Sequence, residues 1–239
     1  FGHPGEDFPV IISLVGPEDD LSIQVHPDDE HAQKIGYKRG KNEAWFFIES
    51  DPGASIVYGQ KTKNKEELQE MIKQDKWDDI YKKYPVADGN FVYLPAGCLH
   101  AMGKGNVVYE IQQSTDVTYR FYDYHRKDKD GNERELHLKQ AIDCLSFDKD
   151  IDKNDVHPVV KVHENVKETI FISNDSFTVS QLLVIGKCQY KCDNYQLATV
   201  VKGSGKVDEY DVKVGDNFLI PTNTSIELDG QMMIMMTTK

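Results

Sequence analysis

NFVYLPAGCLHAMGKGNVVYEIQQSTDVTYRFYDY, residues 90–124, is the stretch whose reading sets the fold class. It holds three runs rich in aromatic and β-branched residues, NFVYLP (90–95), VVYEIQQ (107–113) and VTYRFYDY (117–124), with turn residues between them. Outward from it the same texture continues in PVIISLV (9–15), LSIQVH (21–26), AWFFIE (44–49) and ASIVYG (54–59). Short strands with frequent turns predict a mainly β chain, an antiparallel sandwich or barrel. One segment departs from the pattern. After Asn64, a cap with Glu67 three residues on, Leu68, Met71 and Ile72 and then Trp77, Ile80 and Tyr81 recur at helical spacing, which predicts one bent or two short helices inserted over 64–84.

HRKDKDGNERE (125–135) reads as a charged loop with a DG turn, and LKQAIDCL (138–145) again has helical spacing. FDKDIDKNDVHP (147–158) reads as a linker between a domain of residues 1–147 and a second of 148–239. In the latter, SFTVSQLLVIG, YQLATVVKG, a GSG turn, a VGD turn and a run ending at Pro221 predict a compact β-sandwich of hairpins. It has no His after His163, and no metal chemistry is expected of it.

Composition narrows function. With 28 Lys and Arg against 40 Asp and Glu, the net charge of -12 gives no electrostatic reason to bind nucleic acid or an acidic membrane surface. No run approaches the ~18 apolar residues of a span, and the start lacks a signal-peptide pattern, so a cytoplasmic protein is expected. Four cysteines are too few for a disulfide scaffold and read as reduced thiols, the Cys188 and Cys192 pair included. The chain opens at Phe1 rather than Met, which reads as a piece of a longer protein.

Alternation along LSIQVH sets Ser22, Gln24 and His26 on one strand face, where polar groups two apart can converge on one ion. Glu43 opens an aromatic strand directly after Lys41 and Asn42, and His100 follows a Pro/Gly turn that can aim it inward. Taken singly these read as a solvated strand face, an ordinary charged turn and a structural histidine. Together, two imidazoles, one carboxylate and one amide oxygen make a plausible four-ligand set for a divalent metal, with Zn2+ favoured by the imidazole content. Glu110 and Gln112 share one strand face, and alternation places Thr118, Arg120 and Tyr122 together on another.

LSIQVHPDDEHA, GKNEAWFFIE, LPAGCLHAMGKG and EIQQSTDVTYRFYDY, in that order, resemble the motifs of the type I phosphomannose isomerases in their compact bacterial form. The resemblance is specific over residues 1–147 and looser through the tail. It implies a cupin-type jelly roll with a helical insertion, followed by a second, metal-free cupin-like part. It implies zinc ligands at Gln24, His26, Glu43 and His100, an active-site lysine at Lys41, and a pocket glutamate and arginine at Glu110 and Arg120. The implied activity is interconversion of mannose 6-phosphate and fructose 6-phosphate through a cis-enediol, by a monomer or homodimer acting on a free sugar phosphate. Glu110 is the first candidate for the base and Lys41 the second.

Two positions depart from longer relatives, which commonly carry a His before the active-site Lys and a Tyr two residues after the second ligand His; here these are Gly40 and Met102. Such relatives also have strands before the FGHP segment. Two other function classes fit less of the sequence. A non-catalytic sugar- or sugar-phosphate-binding cupin module needs no base, and an iron-dependent cupin oxygenase usually draws on more histidines, often as His-x-His.

Overall fold

A computed structural model describes residues 8–148 and 151–239. They divide into two compact units, Ile11–Asp155 and one built on Val156–Lys239. The first runs β1 (Val10–Val15), β2 (Ile23–Val25), α1 (Asp29–Lys34), β3 (Glu43–Ser50), β4 (Ser55–Gln60), α2 (Lys65–Lys73), α3 (Trp77–Ile80), β5 (Tyr81–Pro85), β6 (Phe91–Leu94), β7 (His100–Met102), β8 (Asn106–Gln113), β9 (Tyr119–Tyr122) and α4 (Leu138–Cys144). Its strands form a four-stranded sheet, β1-β8-β3-β6, and a five-stranded sheet, β5-β4-β7-β2-β9. This two-sheet antiparallel architecture is the cupin-type, mainly β fold that the sequence implied.

Alternation explains how the layers pack. Trp45 and Phe47 of β3, Ile56 and Tyr58 of β4, Met102 of β7 and Val108 of β8 share one buried cluster between the sheets. On the other face of the five-stranded sheet, Ile23, Val25, Val57, Ala101 and Tyr122 pack against Leu68, Trp77, Ile80, Ala141 and Ile142 of the helices. Trp77 lies flat on Tyr122 at 4.3 Å and 6°, a contact worth about 0.5–1.5 kcal/mol beyond its buried area. The insertion forms two short helices, and the Asn64 side chain accepts from Glu67 N–H at 2.9 Å as its cap. It ends at Ile80 rather than at 84, because Tyr81 and Tyr84 continue as a strand that pairs with Gln60 and Ile56.

One register shift matters for the site. Ile23 pairs with Tyr122 but Gln24 pairs with Arg120, which leaves Phe121 as the extra residue of a β-bulge. Arg120 therefore sits opposite Gln24, while Tyr119 and Tyr122 sit opposite Val25 and Ile23 on the helix-covered face. Strict alternation had placed Arg120 and Tyr122 on one face; the bulge separates them.

The described part of the expected linker hydrogen bonds to the first unit. Asp152 pairs with Lys82 at 2.7 Å, and the Asn154 amide takes Tyr93 N–H at 3.0 Å and donates to Phe91 C=O at 2.9 Å. Residues 149–150 lie outside the described residues. In the second unit β10 (Val159–His163), β11 (Val166–Ser173), β12 (Thr178–Ile185), β13 (Cys188–Cys192), β14 (Gln196–Val207), β15 (Tyr210–Lys213), β16 (Asn217–Ile220) and β17 (Thr224–Thr238) form an eight-stranded sheet around its own apolar core. The GSG sequence is not a turn. It runs within β14, where Gly203 has a φ of 75° and a Cβ on it would stand 2.0 Å from the Gln231 carbonyl, so backbone conformation and close approach of β17, not chain reversal, require the glycine. The reversal comes after Val207, whose partner is Tyr210.

Candidate metal and active site

Strand register assembles the site. Gln24 is the cross-strand partner of both His100 on β7 and Arg120 on β9, and His100 in turn is the partner of Tyr58, which makes one row across the five-stranded sheet. On the other sheet Glu43 opens β3 opposite Gln112, and Trp45 stands opposite Glu110. Directly opposed residues share a face. His26 lies one residue beyond β2, and the Pro95–Cys98 turn leads into His100, the first residue of β7.

His26, Glu43 and His100 are each 1% exposed. His26 Nδ1–H donates to the Val117 carbonyl at 3.1 Å and His100 Nδ1–H donates to the Cys98 carbonyl at 3.0 Å. Carbonyls only accept, so each Nδ1 carries its proton and each ring turns its Nε2 toward Glu43. Those two nitrogens stand 3.3 Å from Glu43 Oε1 and 3.3 Å from Glu43 Oε2. Burial pushes His26 down to about 4 against the opposing pull of Glu43, so its ring is neutral at pH 7. Burial also pushes the Glu43 carboxyl up, and His26, His100 and Lys41 overcome this and hold it well below the usual carboxylate range. Two imidazole nitrogens and a carboxylate thus crowd one buried point, and His26 Nε2 and Glu43 Oε2 have no hydrogen-bond partner among the described residues. Buried acceptors without donors are costly, and a cation between them removes the cost. These three residues, whose ligand atoms lie within 4.8 Å of one another, are the group among the described residues able to hold a metal ion. The Gln24 side chain reaches to 3.5 Å from His100 Nε2, and rotation of its amide brings the oxygen toward the same point.

Lys41 is 7% exposed, with its Nζ 2.9 Å from Glu43 Oε1. Glu110 Oε1 accepts from Trp45 Nε1–H at 3.0 Å. Burial, and then the negative charge of Glu43, raises the Glu110 carboxyl to about 7. A carboxyl poised there exchanges protons readily near neutral pH. Arg120 donates from Nη1 to the Glu135 carbonyl at 2.7 Å, and its buried Nε has no partner among the described residues. The two departures occupy packing positions. A Cβ on Gly40 would meet the Pro27 carbonyl oxygen at 2.5 Å, and Met102 is buried at 1% in the core between the sheets.

Several positioning groups carried no signal in the sequence. Trp45 read only as core, yet its indole N–H orients Glu110. Asn42 accepts from Ala96 N–H at 2.8 Å and donates to Gln113 Oε1 at 2.9 Å, which ties together the chain segments that deliver Glu43, His100 and Glu110. Gln112 stands opposite Glu43 on the face that Glu110 shares; its alternation with Glu110 was the one visible clue.

A family model described as the cupin domain of mannose-6-phosphate isomerase matches residues 167–239. A mannose-6-phosphate isomerase of Streptococcus mutans is 37% identical over 234 residues, covering 95% of this chain and 73% of the relative. This chain belongs to the type I mannose-6-phosphate isomerase family. Another mannose-6-phosphate isomerase, from Bacillus subtilis, is 36% identical over 91% of the chain and 70% of its own length. The crystal structure of a Bacillus subtilis mannose 6-phosphate isomerase matches with a TM-score of 0.93 at 31% identity, covering 100% of this chain and 77% of that one. A phosphomannose isomerase from Salmonella typhimurium, 15% identical with a TM-score of 0.75, shares the fold over 97% of this chain and 79% of its own. As a mannose-6-phosphate isomerase family member the chain is an isomerase, and the buried His-Glu-His cluster lies between the sheets of its first unit.

Proposed function

We propose that this chain interconverts mannose 6-phosphate and fructose 6-phosphate through a cis-enediol, using Zn2+ held by Gln24, His26, Glu43 and His100. The reading rests on one observation: two buried imidazole Nε2 atoms, each 3.3 Å from one oxygen of a buried carboxylate, beside a second carboxyl raised to about 7. When bound, the cation polarises the sugar carbonyl and stabilises charge on the neighbouring oxygen. Glu110 moves the proton between C1 and C2; Trp45 fixes its Oε1 and leaves Oε2 for the transfer. Lys41 holds positive charge beside Glu43 and is the second candidate for the base. Arg120 offers its unpartnered Nε edge to substrate oxygens or phosphate.

The unit Ile11–Asp155 is proposed as the catalytic one and the unit built on Val156–Lys239 as a cupin-like domain without catalytic residues. We further propose a cytoplasmic monomer or homodimer that takes free sugar phosphate and binds neither nucleic acid nor membrane. Four free cysteines suit a reducing compartment, and no helix among the described residues is long and apolar enough to cross a membrane. Elemental analysis together with a coupled isomerase assay on mannose 6-phosphate tests the reading; stoichiometric metal and substrate binding without turnover would make the chain a binding module instead.

Two outcomes are expected at once. Arg120→Lys keeps the charge but loses the planar fork, so kcat/KM should fall by about tenfold while zinc content holds; unchanged kinetics would remove Arg120 from the site. A base must be deprotonated to work, so kcat/KM should rise with pH across an acid limb. A cation beside Glu43 offsets the charge that raises Glu110, so the limb should lie between 4.5 and about 7. It should vanish from the residual rate of Glu110→Gln, and a limb that persists there belongs to another group.

A further inference from the structure

We propose that Asp123 and Arg134 form a positioning pair for Arg120, acting through the Glu135 carbonyl; this rests on the reading of Arg120 as a substrate-binding residue. After β9 the chain turns at Tyr124 and His125, both in the left-handed region with φ of 56° and 53°. It passes through a hairpin bridged by Lys127 and Glu133 and returns beside β9. On its return His137 N–H donates to Arg120 C=O at 2.8 Å, Arg120 N–H donates to His137 Nδ1 at 3.1 Å, and the guanidinium Nη1 meets Glu135 C=O at 2.7 Å. A side-chain acceptor has rotamers of its own. A backbone carbonyl has none, so the guanidinium is held where the returning segment holds it.

That segment is fixed by a two-pronged ion pair. Arg134 Nε lies 2.7 Å from Asp123 Oδ2 and its Nη2 lies 2.6 Å from Oδ1. The Asp123 side chain is 5% exposed and also takes the guanidinium of Arg126, which reaches on to the Asp20 carbonyl at 2.6 Å. The hairpin itself is almost wholly exposed and polar and contributes little buried area of its own. Geometry of this kind, with a buried carboxylate and parallel bonds, separates the pair from ordinary surface salt bridges. The ring is closed: it leaves the chain at Asp123, one residue after β9, crosses to Arg134, steps to Glu135 and returns to β9 at Arg120. Phe121 and Tyr122, the only other residues of β9 inside it, are buried.

A double-mutant cycle on the metal-loaded protein, with mannose 6-phosphate as substrate, separates positioning from general support. Arg134→Met should lower kcat/KM by about tenfold through loss of alignment, Arg134→Lys by less, both with metal content unchanged. In an Arg120→Met background the same Arg134→Met change should cost less than about twofold, because the group it places is gone. An equal loss in both backgrounds, no loss in the native background, or loss of metal on Arg134→Met would overturn the pair's role. Should Arg134→Met fail to fold, Arg134→Lys carries the same cycle. Native kinetics in Arg120→Met would overturn the reading of Arg120 and this inference with it, whereas a loss there with additive Arg134 effects overturns the inference alone.

Discussion

On the proposed reading, His26→Ala and His100→Ala should each leave the protein largely without zinc and without turnover. Each ring is buried at 1%, turns its Nε2 to Glu43 and has its Nδ1 committed to a backbone carbonyl, so truncation to Ala removes one ligand atom and leaves a hole in its place. Loss of an outer hydrogen bond to a metal ligand already costs about 10–100-fold in affinity, and loss of the ligand itself costs more. Dialysis followed by elemental analysis reads the effect directly. His157→Ala, at an exposed position of the second unit, should keep full metal content and serves as the control. Full zinc stoichiometry in either ligand variant would remove the metal assignment.

The second large effect concerns the proton. Glu110→Gln preserves shape, and its amide oxygen still accepts from Trp45 Nε1–H, so the side chain stays in place and only its basicity is lost. Fructose 6-phosphate turned over in deuterated water should give mannose product carrying deuterium at C2. Both turnover and this incorporation should fall by about 10²-fold or more in Glu110→Gln, with zinc still bound. If Glu110→Gln isomerises normally and Lys41→Met does not, the base is Lys41. Near-native rates in both variants would refute the proton transfer proposed here.

Part of the candidate site was legible from short-range rules, and the family resemblance supplied the roles. Period-two alternation put Gln24 and His26 on one face, and turn chemistry placed His100 at a strand start. That Glu43 meets both rings is a matter of register between distant strands, which local pattern does not carry. The Phe121 bulge shows the limit most sharply: one uncounted residue moved Tyr122 to the opposite face from Arg120. Glycine misled for a related reason, since Gly203 answers a need for close approach as readily as a need for a turn. The returning segment at 134–137 holds Arg120 mainly through main-chain atoms, and main-chain partners leave no trace in residue type.

The seam between the two halves has a practical meaning for anyone dissecting the protein. Composition suggests a cut near 147, in a stretch that looks like an unattached tether. Yet the carboxylate of Asp152 lies over Gly59, where a Cβ would stand 1.6 Å from it, and Gly59 N–H bonds to Leu99 C=O one residue before His100. An excised first half ending at 147 would lose this backing and leave Tyr93 N–H without its Asn154 acceptor, a few residues from the strand that delivers Glu43. The natural place to divide the chain is after Asp155, so that the apparent tether travels with the half that carries the candidate site, as its last structural piece.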